Sequence, residues 1–185
     1  MKIEVITVPK EGETENGDAY FVSETEERIT LAVIDGIGHG RDAHLASQMA
    51  VECLEKYCDR DLDYAVRKCH ETLGKTRGAV LAIACITDCE IRFSGVGNIA
   101  AMGLSAGGIG ESRFTSMSGV IGRNLKVVKT FSYPYREGDT IIMHSDGIRG
   151  LNITNYDISR DLRELGEAIL SDNRVDDDST ILVAR

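Results

Sequence analysis

Residues 1–8 (MKIEVITV) alternate apolar and polar positions with a period of two, which predicts a strand. Pro9, Gly12 and Gly17 mark a loop that delivers Asp18 to the start of a second strand at Ala19-Tyr20-Phe21-Val22. The run RITLAVI at 28–34 reads as a buried strand. It stops at Asp35-Gly36-Ile37-Gly38-His39-Gly40, where three glycines permit a turn closed to most other residues. Helical spacing then takes over. Ala46, Met49, Ala50, Cys53, Leu54 and Tyr57 form one apolar stripe. Leu62, Ala65, Val66, Cys69 and Leu73 form a second, with Gly74 as its stop. Residues 79–86 (AVLAIACI) and CEIRFSG form a hairpin pattern, and residues 98–105 and 111–116 form another around AGGIG. Strands are also expected at 125–133 and 139–144. Ile158, Leu162, Leu165 and Ile169 predict a last helix, and Thr180–Val183 a last strand. Helices grouped together and strands grouped in hairpins argue an α+β fold with a largely antiparallel sheet. Nothing divides the chain, so residues 1–185 are expected to form one domain.

Composition narrows the partners. Thirty acidic residues against 21 basic ones give a net charge of −9, which disfavours nucleic acid or an anionic membrane as a main partner. Five cysteines without a CxxC pair read as reduced thiols rather than a disulfide framework or a zinc site. No apolar stretch is long enough for a signal peptide core or a membrane span, so a cytoplasmic protein is expected.

The candidate chemistry lies in aspartates. Asp35-Gly36 and Asp146-Gly147 each follow an apolar run, ITLAVI and TIIMHS, which puts a carboxylate on a rigid support at the rim of a sheet. The glycine is expected to let the backbone turn and expose its carbonyl oxygen. Such oxygen donors suit Mg²⁺ or Mn²⁺, whereas zinc would favour histidine and cysteine. Asp18 before one strand, and Asp176-Asp177-Asp178 before another, can add carboxylates from the two ends of the chain.

In order along the chain, NGDAYFV, LAVIDGIGHG, RGAVLAIACI, FSGVGNIAAM, GDTIIMHSDGI and DDDSTILV resemble the metal-dependent type-2C protein phosphatases. The likeness is to the short bacterial branch of sporulation and stress-response phosphatases, SpoIIE-like and stressosome-linked. That resemblance implies two facing antiparallel sheets flanked by helices, with two Mn²⁺ or Mg²⁺ ions at one end of the sandwich. By position, Asp35 matches the carboxylate bridging both ions, Gly36 a carbonyl ligand, Asp146 the second Asp-Gly aspartate, and Asp177 the first aspartate of the terminal motif. Asp18 matches an early metal-linked aspartate. Asp35, Asp146 and Asp177 are therefore expected to carry catalysis, by hydrolysis with a metal-activated water. The substrate implied is phosphoserine or phosphothreonine on a signalling regulator, a STAS-domain or stressosome protein, acted on by a monomer. Larger relatives place a histidine directly after the first Asp-Gly, where this chain has Ile37, with His39 two residues later. They also place an arginine near the N-terminus, where this chain has acidic GETENGD and, nearby, Lys10.

Other readings carry less. Ser145 between His144 and Asp146 cannot form a triad with its own neighbours, because adjacent strand residues point to opposite faces. His44 and His70 fall on helices and read as surface or boundary residues. Gly95-Val96-Gly97 and Ala106-Gly107-Gly108 read as hairpin turns rather than phosphate cradles, since no helix follows either. The rival from another class is a catalytically weak phosphatase-like module that binds and regulates a signalling partner.

Overall fold

A computed structural model describes residues 1–106 and 110–185. Its strands are β1 (Ile3–Val8), β2 (Asp18–Glu24), β3 (Ile29–Gly36), β4 (Ala79–Ile86), β5 (Glu90–Val96), β6 (Ala100–Leu104) and β7 (Glu111–Arg113). They continue with β8 (Ser116–Met117), β9 (Gly119–Val120), β10 (Asn124–Leu125), β11 (Phe131–Pro134), β12 (Thr140–His144) and β13 (Ser179–Ala184). Helices α1 (Arg41–Tyr57) and α2 (Leu62–Thr72) interrupt the strands after β3, and α3 (Leu162–Asn173) precedes β13.

The strands form two sheets, ordered β1-β13-β12-β6-β7 and β11-β5-β4-β3-β2, with β9 and β10 as a separate ribbon. Every strand pairing is antiparallel except β5 with β8. Three apolar layers hold them. Even-numbered β3 residues such as Ala32 and Ile34 pack beneath α1 and α2, against Ala46, Leu54, Val66 and Cys69. Odd-numbered Leu31 and Val33 face the other sheet, where Ile141, Met143, Leu182 and Ala184 meet them. On the far side, Ile142, Ile181 and Val183 meet Leu165 and Ile169 of α3. The expected α-β-β-α sandwich is thus formed, because both sheets have two apolar faces and each must be covered. Phe93 is completely buried between the sheets, 5.2 Å from the Phe114 ring, which itself stacks on Tyr133 at 4.3 Å.

Several boundaries differ from the sequence pattern. β3 runs on through Asp35 and Gly36, because both pair with β4 at Val80 and Ala79. Gly74 lies within a short 3-10 turn at Leu73–Lys75 rather than ending the helix, and the positive φ comes later, at Gly78 (86°). Residues 125–133 are not one strand: β10 ends at Leu125 and β11 begins at Phe131. Ile158 lies outside α3, which starts after Asp161, whose carboxylate accepts from the Arg163 amide at 2.9 Å. That cap contributes about 1 kcal/mol and defines the helix start more strongly than an apolar side chain one turn upstream. The hairpin of β6 with β7 forms as expected, while Gly107, Gly108 and Ile109 of its glycine-rich turn lie outside the described residues. All five cysteines are free; Cys53, Cys69 and Cys85 are buried, and Cys89 is exposed in the turn before β5.

Candidate metal centre

Strand parity selects the groups that meet at one end of the sandwich. Asp18 and Asp35 are directly opposite in the β2–β3 ladder, so both carboxylates leave the same face. That face, shared with Leu31 and Val33, is the one between the sheets. In the other sheet the same alternation runs from Ile141 and Met143 to Ser145, and from Ala184 and Leu182 back to Thr180 and Asp178. Ser145 donates to Asp18 Oδ2 at 2.6 Å and accepts from the Thr180 amide at 2.9 Å. His144, of opposite parity, accepts no role beside Asp146; its Nδ1 lies 2.9 Å from the Ser145 carbonyl oxygen.

Asp35, Asp146, Asp177 and Asp178 line a cavity of about 230 Å³ at this end, together with Lys10, Asn98 and His39. Asp146 accepts from Asn98 Nδ2 at 2.9 Å, and Arg149 lies 3.6 Å from the same oxygen. Asp178 is 3% exposed and takes one hydrogen bond, from the Lys10 amide at 2.9 Å. Lys10 Nζ is turned to the Asp176 carbonyl at 3.3 Å, and His39 Nδ1 is 2.6 Å from Glu13 Oε1. Asp18 is 4% exposed and is the end-stop of the β2 rung. A larger hollow of about 460 Å³, lined by Leu104, Ser105, Glu111, Arg136 and Asp139, sits at the opposite ends of these strands without such a convergence.

The two Asp-Gly corners work differently from the expected turn. Neither Gly36 nor Gly147 has positive φ; that conformation occurs at Gly38 (94°) and Gly40 (69°). A Cβ on Gly36 would lie 2.1 Å from the Ala43 carbonyl oxygen, and one on Gly147 2.0 Å from that of Asp178. Glycine is needed because another backbone segment passes directly against each corner. Gly95 is similar, since a Cβ there would strike the Ser116 hydroxyl at 2.1 Å, so the Gly95–Gly97 segment packs against β8.

The electrostatics are those of a cation site. Burial first, then the charges of Asp18, Asp146, Asp177 and Asp178, pushes the Asp35 carboxyl up to about 8. Burial pushes Asp18 up to about 7, against the lowering effect of hydrogen bonds from Ser145 and Thr180. Among the described residues, Asp18 Oδ1 and Asp178 Oδ2 are buried without any hydrogen-bond partner. Buried unpaired carboxylate oxygens are costly, and a bound cation compensates them. An all-oxygen donor set suits Mg²⁺ or Mn²⁺, so these residues fit such ions. Among the described residues, no three potential ligands already close on a single point, so the carboxylates form a ring around a cavity and not a finished cage.

All the sequence candidates, Asp18, Asp35, Gly36, Asp146 and Asp177, gather at this end. The sequence reading offered Asp178 only within the triple aspartate and took Asp177 as the ligand, weighed Ser145 only as a nucleophile, and did not raise Asn98. Asp178 and Ser145 carried a signal: continuing the strand alternation one step beyond Thr180 and Met143 turns both inward. Asn98, on the loop between β5 and β6, carried none.

The SpoIIE family model, described as Stage II sporulation protein E, matches residues 25–160. The chain is 28% identical over 155 residues to phosphoserine phosphatase RsbX of Bacillus subtilis (strain 168), covering 82% of this chain and 77% of that protein. A solved structure described as "The bacterial stressosome: a modular system that has been adapted to control secondary messenger signaling" superposes with a TM-score of 0.92 at 33% identity, over 99% of this chain and 98% of the other. RsbX in complex with magnesium superposes with a TM-score of 0.88 at 24% identity, over 98% and 92%, a likeness of fold. Among the described residues, no helix is long and apolar enough to cross a membrane. With a family match over most of its length and a ring of carboxylates between two facing sheets, the chain belongs to the SpoIIE family and is a protein serine phosphatase domain.

Proposed function

We propose that this domain removes phosphate from phosphoserine or phosphothreonine on a STAS-domain or stressosome protein, using two Mn²⁺ or Mg²⁺ ions. Asp18, Asp35, the Gly36 carbonyl, Asp146 and Asp177 would hold the ions, with Asp178 added to the sequence-derived set. The observation that carries this reading is the convergence of Asp35, Asp146, Asp177 and Asp178 on one cavity, beside a buried Asp18 with an oxygen unpartnered among the described residues. The likeness to phosphoserine phosphatase RsbX and to a structure described as the bacterial stressosome supports this choice of substrate class.

When bound, divalent ions supply an acidified water and positive charge opposite the phosphoryl oxygens. The chain's own residues supply the frame. Ser145, itself held by the Thr180 amide, orients Asp18, Asn98 orients Asp146, and the Lys10 amide orients Asp178. β3 and β4 hold Asp35 rigidly through the pairing with Val80. His39 stands at the cavity with its Nδ1 2.6 Å from Glu13 Oε1, so a ring of the kind used in proton transfer is held at the rim.

The test is Mn²⁺-dependent phosphate release from STAS-domain proteins phosphorylated by their cognate kinases, compared with a generic phosphoserine peptide. Hydrolysis without preference for the STAS protein removes the substrate assignment. No cation-dependent hydrolysis of any phosphoprotein removes the catalytic one and favours a binding module.

A further inference from the structure

We infer that the free edge of β2 is the docking strand for an extended segment of the phosphoprotein substrate, the residues preceding its phosphoserine. The inference rests on the phosphatase reading above and adds the surface that recognises the substrate. β2 is the outer strand of its sheet. The Gly36 amide donates to the Gly17 carbonyl at 3.1 Å, whereas the Asp18 amide turns away from β3 to Asn16 Oδ1 at 2.9 Å. Antiparallel alternation from that rung sends the backbone groups of Tyr20 and Val22 outward, away from β3.

β11 ends in Pro134 and β7 carries Glu111 and Arg113, devices that blunt an edge. β2 begins Asp-Ala-Tyr-Phe-Val, without the lysine or proline that commonly protects an exposed edge. Its outward side chains are apolar and open to solvent, Tyr20 at 45% and Val22 at 37%. They line a groove of about 480 Å³ between β2 and α1 that also includes Asp18, His44 and Glu55. Asp18 lines the groove and its ladder partner Asp35 lines the carboxylate cavity, so the start of β2 stands beside the reaction site.

The occupant follows from this geometry. A strand added to an edge gains affinity from main-chain hydrogen bonds and specificity from alternate side chains. An antiparallel segment would run from the Glu24 end toward Asp18, placing the phosphoserine beyond its last paired residue. Apolar residues two and four positions before the phosphoserine then meet Tyr20 and Val22. Glu55 favours a basic residue in the same segment.

The experiment uses the full chain with Mn²⁺, a synthetic phosphoserine peptide of that pattern, and p-nitrophenyl phosphate. Val22→Lys and Tyr20→Pro, each confirmed folded by its melting curve, are expected to lower kcat/KM for the peptide by about tenfold or more, leaving p-nitrophenyl phosphate unchanged. N-methylation of alternate peptide residues before the phosphoserine tests the same point on intact enzyme: one alternate set should be tolerated and the other should lose about tenfold. Equal losses on both substrates, no loss on either, or no difference between the two methylated sets overturns the inference. So does a concentration-dependent dimer of the chain that the two variants abolish, since the edge would then serve a second copy. Absence of p-nitrophenyl phosphate hydrolysis in the parent would instead overturn the phosphatase reading.

Discussion

Ser145, one residue past β12, donates a 2.6 Å hydrogen bond to Asp18, the first residue of β2, and so joins the two sheets at the carboxylate ring. The other Asp18 oxygen is buried with no partner among the described residues. Ser145→Ala therefore strips a buried carboxylate of a donor and leaves the Thr180 amide without its acceptor. The expected loss is about 1–3 kcal/mol, read as a lower urea midpoint in EDTA, together with weaker Mg²⁺ binding by calorimetry. Unchanged stability and unchanged cation affinity would show that Ser145 does not position Asp18.

The pH dependence of the cation-free protein has a definite sign. Folded Asp35 and Asp18 sit at about 8 and about 7, raised above the ordinary 3.8. Between about pH 4 and about pH 8 the folded chain therefore holds protons that the unfolded chain has released. Stability from these two groups is present at the acid end and lost as pH rises through the window. Hydrogen bonds from Arg92, Ser159 and Lys2 hold Asp61, Asp157 and Asp161 below the usual range, so those groups act at lower pH. Denaturant melts in EDTA should weaken from about pH 5 to about pH 8, and saturating Mg²⁺ should flatten or reverse that slope. A midpoint that rises with pH in EDTA contradicts the assignment.

Asp35→Asn and Asp146→Asn should lower phosphatase activity by more than the roughly 10–100-fold typical of losing an outer-shell partner. Both should remain folded. Asp35→Asn removes a carboxylate repelled by four others, so its cation-free melting temperature should rise. Parent-level activity in either variant would remove that residue from the ligand set.

Gly36→Ala forces a methyl group to within 2.1 Å of the Ala43 carbonyl oxygen, at the first turn of α1. Displacing a rigid helix backbone is expensive, so a loss of about 1–3 kcal/mol is expected from overpacking alone. The companion change Gly147→Ala, 2.0 Å from the Asp178 carbonyl, should behave alike and also weaken cation binding. Gly12→Ala is the control for substituting a glycine, since it has open space around it but a φ of 85°. Should the corner variants lose no more than the control, close approach is not the reason for glycine there.

Much of this protein was legible in its residue order. Period-two alternation located β1, apolar runs bounded by turn residues located β3, β4 and β13, and three-and-four spacing located α1 and α2, because backbone geometry fixes how many faces each element buries and with what period. The apolar runs ITLAVI and TIIMHS marked Asp35 and Asp146 as strand-end carboxylates. The short strands β8–β10 and the irregular stretch between β10 and β11 left no such trace, since pairs of two residues are too short to show a period.

Tertiary structure alone decided which carboxylates meet. Asp18 and Ser145 are 127 residues apart, and Lys10 and Asp178 are 168 apart, yet each pair is hydrogen-bonded. Within Asp176-Asp177-Asp178 the letters are identical, but Asp176 is exposed, Asp177 half-buried and Asp178 buried. That difference comes from the pairing of β13 between β1 and β12 and from the close passage of Gly147. Local patterning chooses the face each side chain leaves from, while only the packing of one sheet on the other decides what stands opposite.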